Sequence, residues 1–397
     1  MKRYAGRLLI AGVLCLSVVG GAAGCSPDKE GAPASPPQKE AEHSQPAERP
    51  LVQKAVPLAA ADIPYRPEVF IEGLQVPWAL ALAPDGRMFF TERPGTLRVI
   101  REGVLLTEPV LSLPPPFVEQ GEGGLLGLAL DPKFAENHYL YVYHSYEQNG
   151  QIKNRVLRLV ERNNRAKIDK VLLDHIPGNG NHNGGRLRFG PDGMLYITTG
   201  DALDRERSQQ REDLAGKILR IRSDGTIPQD NPDPASPVYS YGHRNPQGLA
   251  WHPQTGQMYS VEHGQSAHDE LNIIKAGANY GWPVIEGDER QEGMEPPLMH
   301  SGEDTWAPSG LSFISQGPWK NQLLAANLRG QQVWKADMGE EKQPTIVSLH
   351  ALFPDRYGRI RDIVEGADGS LYILTNNRDG RGQERPGDDK IIRLKPQ

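Results

Sequence analysis

The chain has 397 residues, of which 38% are hydrophobic, and a formal net charge of -6. This length and hydrophobic content suit a globular protein with a large core. The sequence lacks the basic excess that is typical of nucleic-acid binding, so no nucleic-acid partner is predicted.

The first 25 residues have the pattern of a bacterial export signal. Lys2 and Arg3 precede an apolar run, Leu8–Val19, that is too short to span a bilayer. The ending GAAGC resembles a lipoprotein signal, which predicts a lipid on Cys25 and anchoring at the outer face of the cytoplasmic membrane or in the cell envelope. An ordinary secretion signal, cleaved near Ala23, is the alternative.

Residues 26–61 are rich in Pro, Ala, Glu, Gln and Ser and contain few large apolar side chains. Such a segment cannot bury enough surface to offset the entropy of ordering, so we predict a disordered tether. The folded domain is then expected to comprise residues 62–397. The two cysteines, Cys15 and Cys25, both precede it, so the domain can form no internal disulfide.

One phrase recurs six times after the tether. Each copy has an apolar run, a turn that is often Asp-Gly, and a second run with aromatic or β-branched residues; the copies begin at Trp78, Gly127, Gly185, Gly248, Gly310 and Ile360. Most copies are followed by a third strand-like run. Because Asp-Gly is typical of hairpins and the spacing is that of a blade, we predict a six-bladed β-propeller. Two β-sandwich domains are the alternative, but no second linker-like segment appears.

The loop Gly178–Gly193 places one histidine, His182, among six glycines and three asparagines. Propeller sites lie on loops at the mouth of the central channel. A neutral imidazole can accept a proton near neutral pH, and glycines allow a ligand to approach closely. His182 is therefore a candidate general base. A loop histidine bonded to a backbone carbonyl is the alternative interpretation.

The phrase YGHRNPQGLAW concentrates polar side chains just before a predicted strand. Arg244, Asn245 and Gln247 offer a density of hydrogen-bonding groups that suits an anionic or carbonyl-rich ligand. A hydrogen-bond network between blades would use the same residues.

The segment that begins EHGQSAHDELN carries acidic residues and loop carbonyls. Glu262, Asp269 and Glu270, with the carbonyls of Gly264 and Gln265, are hard oxygen ligands of the kind that calcium prefers. The spacing is not that of an EF-hand, so the calcium signal is weak by itself.

Three arginines in the last third of the chain are candidates for binding carboxylates. Arg359 and Arg361 lie two residues apart in GRIRDI and would share one face of a strand, and Arg329 lies in NLRGQQ. Paired guanidinium groups commonly bind carboxylates. A solvated strand face is the alternative.

The ordered phrases GLLGLALDP, NHNGGRL, YGHRNPQGLAW, EHG with DELN, NYGWP, APSG and GRIRDI resemble the soluble PQQ-dependent glucose/aldose (sorbosone) dehydrogenase family. The resemblance covers about residues 64–397. It implies a six-bladed propeller that uses pyrroloquinoline quinone (PQQ) and Ca²⁺ to oxidise the C1 hydroxyl of an aldose to a lactone. It also implies an electron acceptor, for which a respiratory-chain carrier is a candidate.

The resemblance further implies roles for individual residues. His182 matches the base that takes the proton from the C1 hydroxyl while hydride passes to PQQ, and Arg244 matches the group that stabilises charge on the cofactor oxygen. The backbone carbonyls of Gly264 and Gln265 match calcium ligands, although the family has Pro at the second position. Further cofactor contacts match Asn245, Gln247, Tyr280, Thr305, Arg329, Arg359 and Arg361.

Two residues at the expected mouth of the site depart from the family pattern. Glu122 stands in QGEGGLLG, where glucose oxidisers often have Gln, so it is a candidate substrate contact. Asn181 stands where some relatives have a carboxylate, so the orientation of His182 is expected to be weaker.

Two other functions remain open. Some six-bladed propellers are calcium-dependent lactonases or phosphotriesterases, but those sites have no use for three convergent arginines. Other propellers only bind a protein or a sugar, and loss of His182 or of the paired arginines would indicate that case. Both features are present in this chain.

Overall fold

The computed structural model describes residues 54–339 and 345–397. The predicted export signal, Cys25 and the tether up to residue 53 lie outside the described residues. No helix in the described ranges is long and apolar enough to cross a membrane.

Almost all regular structure is β-strand. The first thirteen strands are β1 (Val56–Pro57), β2 (Tyr65–Ile71), β3 (Pro77–Leu82), β4 (Met88–Glu92), β5 (Thr96–Arg101), β6 (Val104–Leu105), β7 (Leu111–Ser112), β8 (Leu125–Leu130), β9 (Tyr139–Gln148), β10 (Gln151–Arg162), β11 (Arg165–Pro177), β12 (Leu187–Phe189) and β13 (Leu195–Thr199). The others are β14 (Lys217–Ile221), β15 (Val238–Tyr241), β16 (Pro246–Trp251), β17 (Met258–Glu262), β18 (Glu270–Ile274), β19 (Met299–His300), β20 (Pro308–Phe313), β21 (Leu323–Asn327), β22 (Gln332–Met338), β23 (Ile346–Leu352), β24 (Ile360–Glu365), β25 (Leu371–Thr375) and β26 (Ile391–Pro396). The described helices are short: α1 (Phe134–Asn137) and the 3₁₀ turns Ala60–Asp62 and Arg205–Gln209.

The strands form six sheets, each a meander that starts near the central axis, so the predicted six-bladed β-propeller is confirmed. The sheets start at β3, β8, β12, β16, β20 and β24, and each of these inner strands contacts the next. Contact between β24 and β3 closes the ring. Each copy of the sequence phrase supplies the two inner strands of one blade, and the predicted third strand follows in every blade.

The N-terminal part of the domain closes the propeller. Strand β2 pairs antiparallel with β26 and so completes the last blade from the other end of the chain. Strand β1 pairs in parallel with β23 at the edge of the fifth blade. The domain therefore begins before the predicted boundary at residue 62, because a two-residue strand leaves no recognisable pattern in a Pro/Ala-rich segment.

Three of the repeat turns have the same structure. In each turn the Asp side chain accepts a hydrogen bond from the N–H two residues later, at 3.0 to 3.1 Å. The glycine that follows adopts a positive φ, which disfavours other residues. The pairs are Asp85–Gly86, Asp192–Gly193 and Asp368–Gly369, so the Asp-Gly signal corresponds to real hairpin turns.

Polar side chains fill part of the propeller axis. The buried Arg186 donates to Asp362 at 3.1 Å and to the carbonyl of Gln247 at 2.7 Å. Its guanidinium also lies 4.3 Å from the centre of the Trp78 ring. This network reaches the cavity at one end of the axis through Gln247, which belongs to the cavity lining.

Candidate active site

A cavity of about 570 Å³ lies where the inner strands begin, at one mouth of the channel. Its volume is in the range of small-molecule sites. The lining includes most of the residues predicted from sequence, namely Glu122, Asn181, His182, Arg244, Gln247, Gly264, Gln265, Thr305, Arg329, Arg359 and Arg361. Loops from all six blades are thus brought together around one space.

His182 lies on the loop between β11 and β12 and faces the cavity. Its Nδ1 is 2.7 Å from Oδ1 of Asp201. This bond directs the Nδ1 proton to the carboxylate and leaves Nε2 as the nitrogen that can accept a proton. The residue has φ +56°, a backbone conformation that is uncommon outside glycine and often occurs at functional sites.

Asp201 follows β13 and is only 2% exposed. Besides His182, its Oδ1 accepts the N–H of Leu203 at 2.9 Å, and its Oδ2 accepts the indole N–H of Trp282 at 2.9 Å. Both oxygens are therefore fixed, and the ring of His182 is held in one orientation. The expectation that Asn181 would leave this histidine weakly oriented is wrong, because the orienting carboxylate comes from a different loop.

Close packing of backbone explains one glycine next to this pair. A Cβ on Gly200 would lie 2.0 Å from the carbonyl oxygen of His182. Such a contact is impossible without moving the loop. The sequence TTGD therefore needs glycine before Asp201 so that the base-bearing loop can lie against the end of β13.

The two predicted substrate contacts, Glu122 and Asn181, meet at the mouth of the cavity. Glu122 accepts the backbone N–H of His182 at 3.1 Å. Arg381 forms an ion pair with Glu122 and donates to Oδ1 of Asn181 at 2.8 Å. Burial favours the neutral acid, but the charge of Arg381 and the hydrogen bond from the His182 N–H hold the pKa of Glu122 below its ordinary value.

Arg244 lies in the cavity wall without a carboxylate partner among the described residues. Its guanidinium donates to the carbonyl of His263 at 3.2 Å and lies 5.3 Å from the Trp282 ring centre. Its Nε is buried and has no hydrogen-bond partner in the described part of the chain. Burial lowers the pKa of Arg244. This cation is therefore available to an anionic ligand.

Arg361 is 6% exposed and lies on the cavity floor. It donates to Oε1 of Gln247 at 2.7 Å and to Oδ1 of Asn376 at 3.0 Å. Burial lowers its pKa to about 9. All of its acceptors in the described ranges are neutral, so its charge lacks a close anion.

The predicted pairing of Arg359 with Arg361 is only partly correct. Both line the cavity, but β24 begins at Ile360, so Arg359 precedes the strand. The Nη2 and Nε atoms of Arg359 lie 2.8 and 2.9 Å from Oδ2 of Asp379. Strand alternation does not place this side chain, and its charge is already neutralised.

Asn245, Glu262 and Tyr280 were predicted to bind cofactor or metal but do not line the cavity. Asn245 instead accepts the N–H of Gly184 at 3.0 Å and so supports the loop that carries His182. Glu262 is buried, and its two oxygens accept His243 Nδ1 at 2.9 Å and the N–H of Arg244 at 2.8 Å.

The Tyr280 ring stacks on His243 at 4.7 Å. Its hydroxyl donates to the carbonyl of Ile273 at 2.6 Å. Through these contacts and those of Glu262, Tyr280 and Glu262 lie behind Arg244 and not in the cavity wall. We therefore remove Glu262 from the candidate metal ligands.

A second, half-buried carboxylate lies opposite Glu262. Glu270 is its cross-strand partner in the β17–β18 pair, and Asn272 donates to both side chains at 3.0 Å. Burial and the charge of Glu262 raise the pKa of Glu270 to about 8. At neutral pH this pair therefore retains a proton.

Gly264 and Gln265 form the cavity edge that was predicted to bind calcium. Their N–H groups donate to Asp269 at 2.9 Å and Glu286 at 3.0 Å, respectively, which fixes the direction of the peptide groups. A Cβ on Gly264 would lie 1.9 Å from the carbonyl oxygen of Ala267, so the bend needs glycine. Within the described residues, no group of three or more His, Cys, Asp or Glu side chains could hold a metal ion.

Thr305 and Arg329 also lie where the prediction expects them, in the lining. Thr305 donates its hydroxyl proton to the carbonyl of Ser266 at 2.7 Å. Arg329 is exposed to the cavity opening. Neither residue is enclosed in a network like that of Arg361.

His263 is the other histidine in the lining, and its geometry argues against a role as base. Its Nε2 donates to the carbonyl of Pro308 at 2.9 Å, and its Nδ1 lies 3.3 Å from Nδ2 of Asn245. Burial lowers the pKa of His263 to about 3. A neutral imidazole with both nitrogens engaged is a structural group, which leaves His182 as the candidate base.

The cavity is strongly cationic. Its described lining contains six arginines and three carboxylates, an excess of three positive charges. An anionic ligand would be attracted by this field and would offset the cost of keeping several guanidinium groups together.

Sequence reasoning missed Asp201, Trp282 and Arg381. Asp201 offered a signal, because GD at the end of YITTGD interrupts the apolar pattern of the repeat. Trp282 stands in the NYGWP phrase but was not assigned a role. Arg381 lies in a loop rich in Gly and charged residues, where no local pattern indicates its partners 259 and 200 residues away.

Comparisons with known proteins agree on one family. The chain matches the family model described as Glucose / Sorbosone dehydrogenase over residues 74–392. The PQQ-bound aldose sugar dehydrogenase of Streptomyces coelicolor is 35% identical, with a TM-score of 0.75 over 83% of this chain and 98% of that one. Aldose sugar dehydrogenase YliI of Escherichia coli is 32% identical over 358 residues, which are 83% of this chain and 95% of that protein. Quinoprotein glucose dehydrogenase B of Acinetobacter calcoaceticus is 27% identical over 439 residues, covering 82% and 91%.

Proposed function

The chain belongs to the glucose/sorbosone dehydrogenase family of oxidoreductases, and we propose that it oxidises the C1 hydroxyl of neutral aldoses to lactones with PQQ and Ca²⁺ as cofactors. The observation that carries this proposal is the His182–Asp201 pair, which faces a cavity with an excess of arginines. When bound, PQQ would supply a quinone that accepts the two electrons that leave the sugar.

The cavity residues fit such a cofactor. Arg361 is buried without a close carboxylate in the described chain, and the Nε of Arg244 is buried without any described partner. A buried cation that lacks an anion is costly, so these positions favour an anionic ligand. Arg329 adds a third guanidinium at the opening. The carboxylates of PQQ would be bound by Arg361 and Arg329, and its quinone end by Arg244.

The charges of the lining suit the cofactor. The excess of three positive charges equals the charge of the three carboxylates of PQQ when these are ionised. Bound Ca²⁺ would add two further positive charges at the cavity edge. The neutral aldose substrate is proposed from the aldose sugar dehydrogenases that the chain resembles, such as that of Escherichia coli.

His182 would act as the general base. Its Nε2 can take the proton of the C1 hydroxyl, while Asp201 stabilises the imidazolium that forms at Nδ1, 2.7 Å away. Trp282 keeps the carboxylate from rotating by donating its indole N–H. A positioned base contributes a factor of about 10² to 10⁴ to turnover.

Calcium would be bound at the cavity edge by the backbone carbonyls of Gly264 and Gln265. These are hard oxygen donors, and the bond from the Gln265 N–H to Glu286 fixes the peptide group that carries the Gly264 carbonyl. The Gln265 carbonyl has only a long contact of 3.5 Å to Arg244, so it can serve an ion. The remaining ligands would come from the cofactor and water.

The floor of the cavity disfavours the hydrolase alternative. A propeller hydrolase would place its metal near the axis, where this chain has the guanidinium groups of Arg186 and Arg361. Both lie close to Trp78, at 4.3 and 5.5 Å from its ring centre. Asp362 compensates the charge of Arg186, but Arg361 lacks a close anion, and its positive charge would oppose a divalent cation.

Export and membrane attachment remain predictions. We propose that the lipid on Cys25 keeps the enzyme on the outer face of the cytoplasmic membrane or in the cell envelope. There it would pass electrons to a respiratory-chain carrier.

The proposal is tested by comparing His182→Ala with the wild type. The variant should bind PQQ with unchanged affinity but turn over aldoses about 10² to 10⁴ times more slowly, because it lacks only the base. His175→Ala, which removes an exposed histidine on β11, is the matched control and should keep full activity. Equal turnover by the His182 variant and the wild type would remove this residue from the mechanism.

A further inference from the structure

One loop of the last blade reaches across the cavity mouth. Residues 376–390 connect β25 and β26, and Asp379 folds the loop by accepting the N–H groups of Arg381 at 2.8 Å and Gly382 at 3.0 Å. The other oxygen of Asp379 holds Arg359 in the cavity wall. The loop is therefore fixed both internally and to the wall.

Arg381 links this loop to the opposite rim. Its guanidinium pairs with Glu122 on the loop before β8 and donates to Asn181 on the loop before β12. The second oxygen of Glu122 accepts the backbone N–H of His182. A continuous chain of contacts therefore runs from Arg381 through Glu122 to the backbone of the candidate base.

Arg381 compensates the negative charge of Glu122 at the cavity rim. Glu122 is ionised and only 19% exposed, and it lies near His182 and His263. The other charged groups around these imidazoles are Asp201, which bonds to His182, and Arg244 and Arg361, which act on His263. Without Arg381, the Glu122 carboxylate would lose its ion-pair partner, and its contact with the His182 N–H would no longer be held in one orientation.

We propose that Arg381 is a positioning residue for sugar oxidation, because it holds Glu122 and Asn181 in the orientation that receives the sugar and keeps the His182 loop in place. The proposal rests on the proposed function and adds a residue to the same site. Arg381 itself is 54% exposed, so the pair is partly screened and its contribution is moderate.

The first experiment measures the loop in the apoprotein and needs no activity. Amide hydrogen exchange of His182 is followed by NMR in the wild type, Arg381→Met, Arg381→Lys and Arg378→Met. Exchange should accelerate by roughly tenfold in Arg381→Met, because Glu122 is released and the N–H loses a fixed acceptor. Arg378 is the matched control: it lies in the same loop but pairs with Glu384 at 3.5 Å, outside the cavity lining.

The second experiment measures kinetics after loading with PQQ and Ca²⁺. In Arg381→Met, the KM for the preferred aldose should rise about 5- to 30-fold, whereas kcat should change less. Arg381→Lys keeps the charge but only one contact, so its KM should lie between those of Arg381→Met and the wild type. PQQ affinity should stay unchanged, and Arg378→Met should match the wild type throughout.

Two results would contradict the proposal. Unchanged exchange of the His182 amide in Arg381→Met would show that Arg381 does not hold the loop. A higher KM with unchanged exchange would mean that Arg381 contacts the sugar directly instead of positioning other groups. If the wild type oxidises no aldose, the proposed function fails, and the exchange measurement alone decides whether Arg381 positions this loop.

Discussion

Replacing Asp201 by Asn tests how the structure orients its base. Oδ1 of Asp201 accepts from His182 and Leu203, whereas Oδ2 accepts from Trp282, so three N–H donors point at one buried carboxylate. Asn has one oxygen and one NH₂ group. If the oxygen faces His182, the NH₂ group opposes the indole N–H of Trp282. If it faces Trp282, the NH₂ group opposes Leu203 and directs the His182 proton to Nε2.

Both orientations of Asn are costly. The first leaves two donors facing each other in a site that is 2% exposed, a penalty of about 1 to 3 kcal/mol. The second gives the tautomer that cannot accept the proton of the substrate. Since the imidazolium also loses its counter-charge, we expect kcat to fall by about 10² to 10⁴, the full contribution of a positioned base.

The assay is dye reduction by PQQ-loaded Asp201→Asn, with the PQQ affinity measured in parallel to show that the cavity is intact. The double variant Asp201→Asn/Trp282→Phe is an internal control. Phe removes the opposing N–H, so Asn can accept from His182 without conflict, and the double variant should be more active than Asp201→Asn alone. Wild-type kcat in Asp201→Asn, or a double variant with still lower activity, would refute this reasoning.

Two further predictions concern binding and stability. Arg361→Ala should weaken PQQ binding by about 1.5 to 3 kcal/mol in a cofactor titration. The melting temperature of the apoprotein should stay the same or rise, because the variant removes an uncompensated buried charge. An unchanged titration would exclude Arg361 from the cofactor site. Glu270 has its pKa raised from 4.5 to about 8, so the folded protein retains a proton that the unfolded chain releases in this interval. Stability is therefore lost as pH rises from about 5 to 8, and the free energy of unfolding of the wild type should fall relative to Glu270→Gln. Parallel pH curves in urea unfolding would contradict this assignment.

The fold could be predicted from sequence because its unit repeats. Six copies of one phrase gave the blade count, and the Asp-Gly pairs such as Asp85–Gly86 marked hairpins that the structure contains. Strand alternation failed at Arg359, since the strand begins one residue later. The short strand at Val56–Pro57 was missed because its pairing depends on β23, about 290 residues away, and on no local pattern.

The candidate site was predictable in its residue types but not in its connections. Arg244 and Arg361 were found because each stands in a distinctive phrase and lines the cavity. Asp201 and Arg381 were missed because their partners are brought close only when the ring closes. Glu262 looked like a metal ligand in sequence, but the structure commits its oxygens to His243 and the backbone of Arg244.

The measurement that tests the central claim most directly is dye reduction by the purified full-length chain with a panel of neutral aldoses. PQQ and Ca²⁺ are added together, singly or not at all. The account predicts turnover that needs both additions and a lactone as product. Turnover without PQQ, or no aldose oxidation despite saturable PQQ binding, would contradict it.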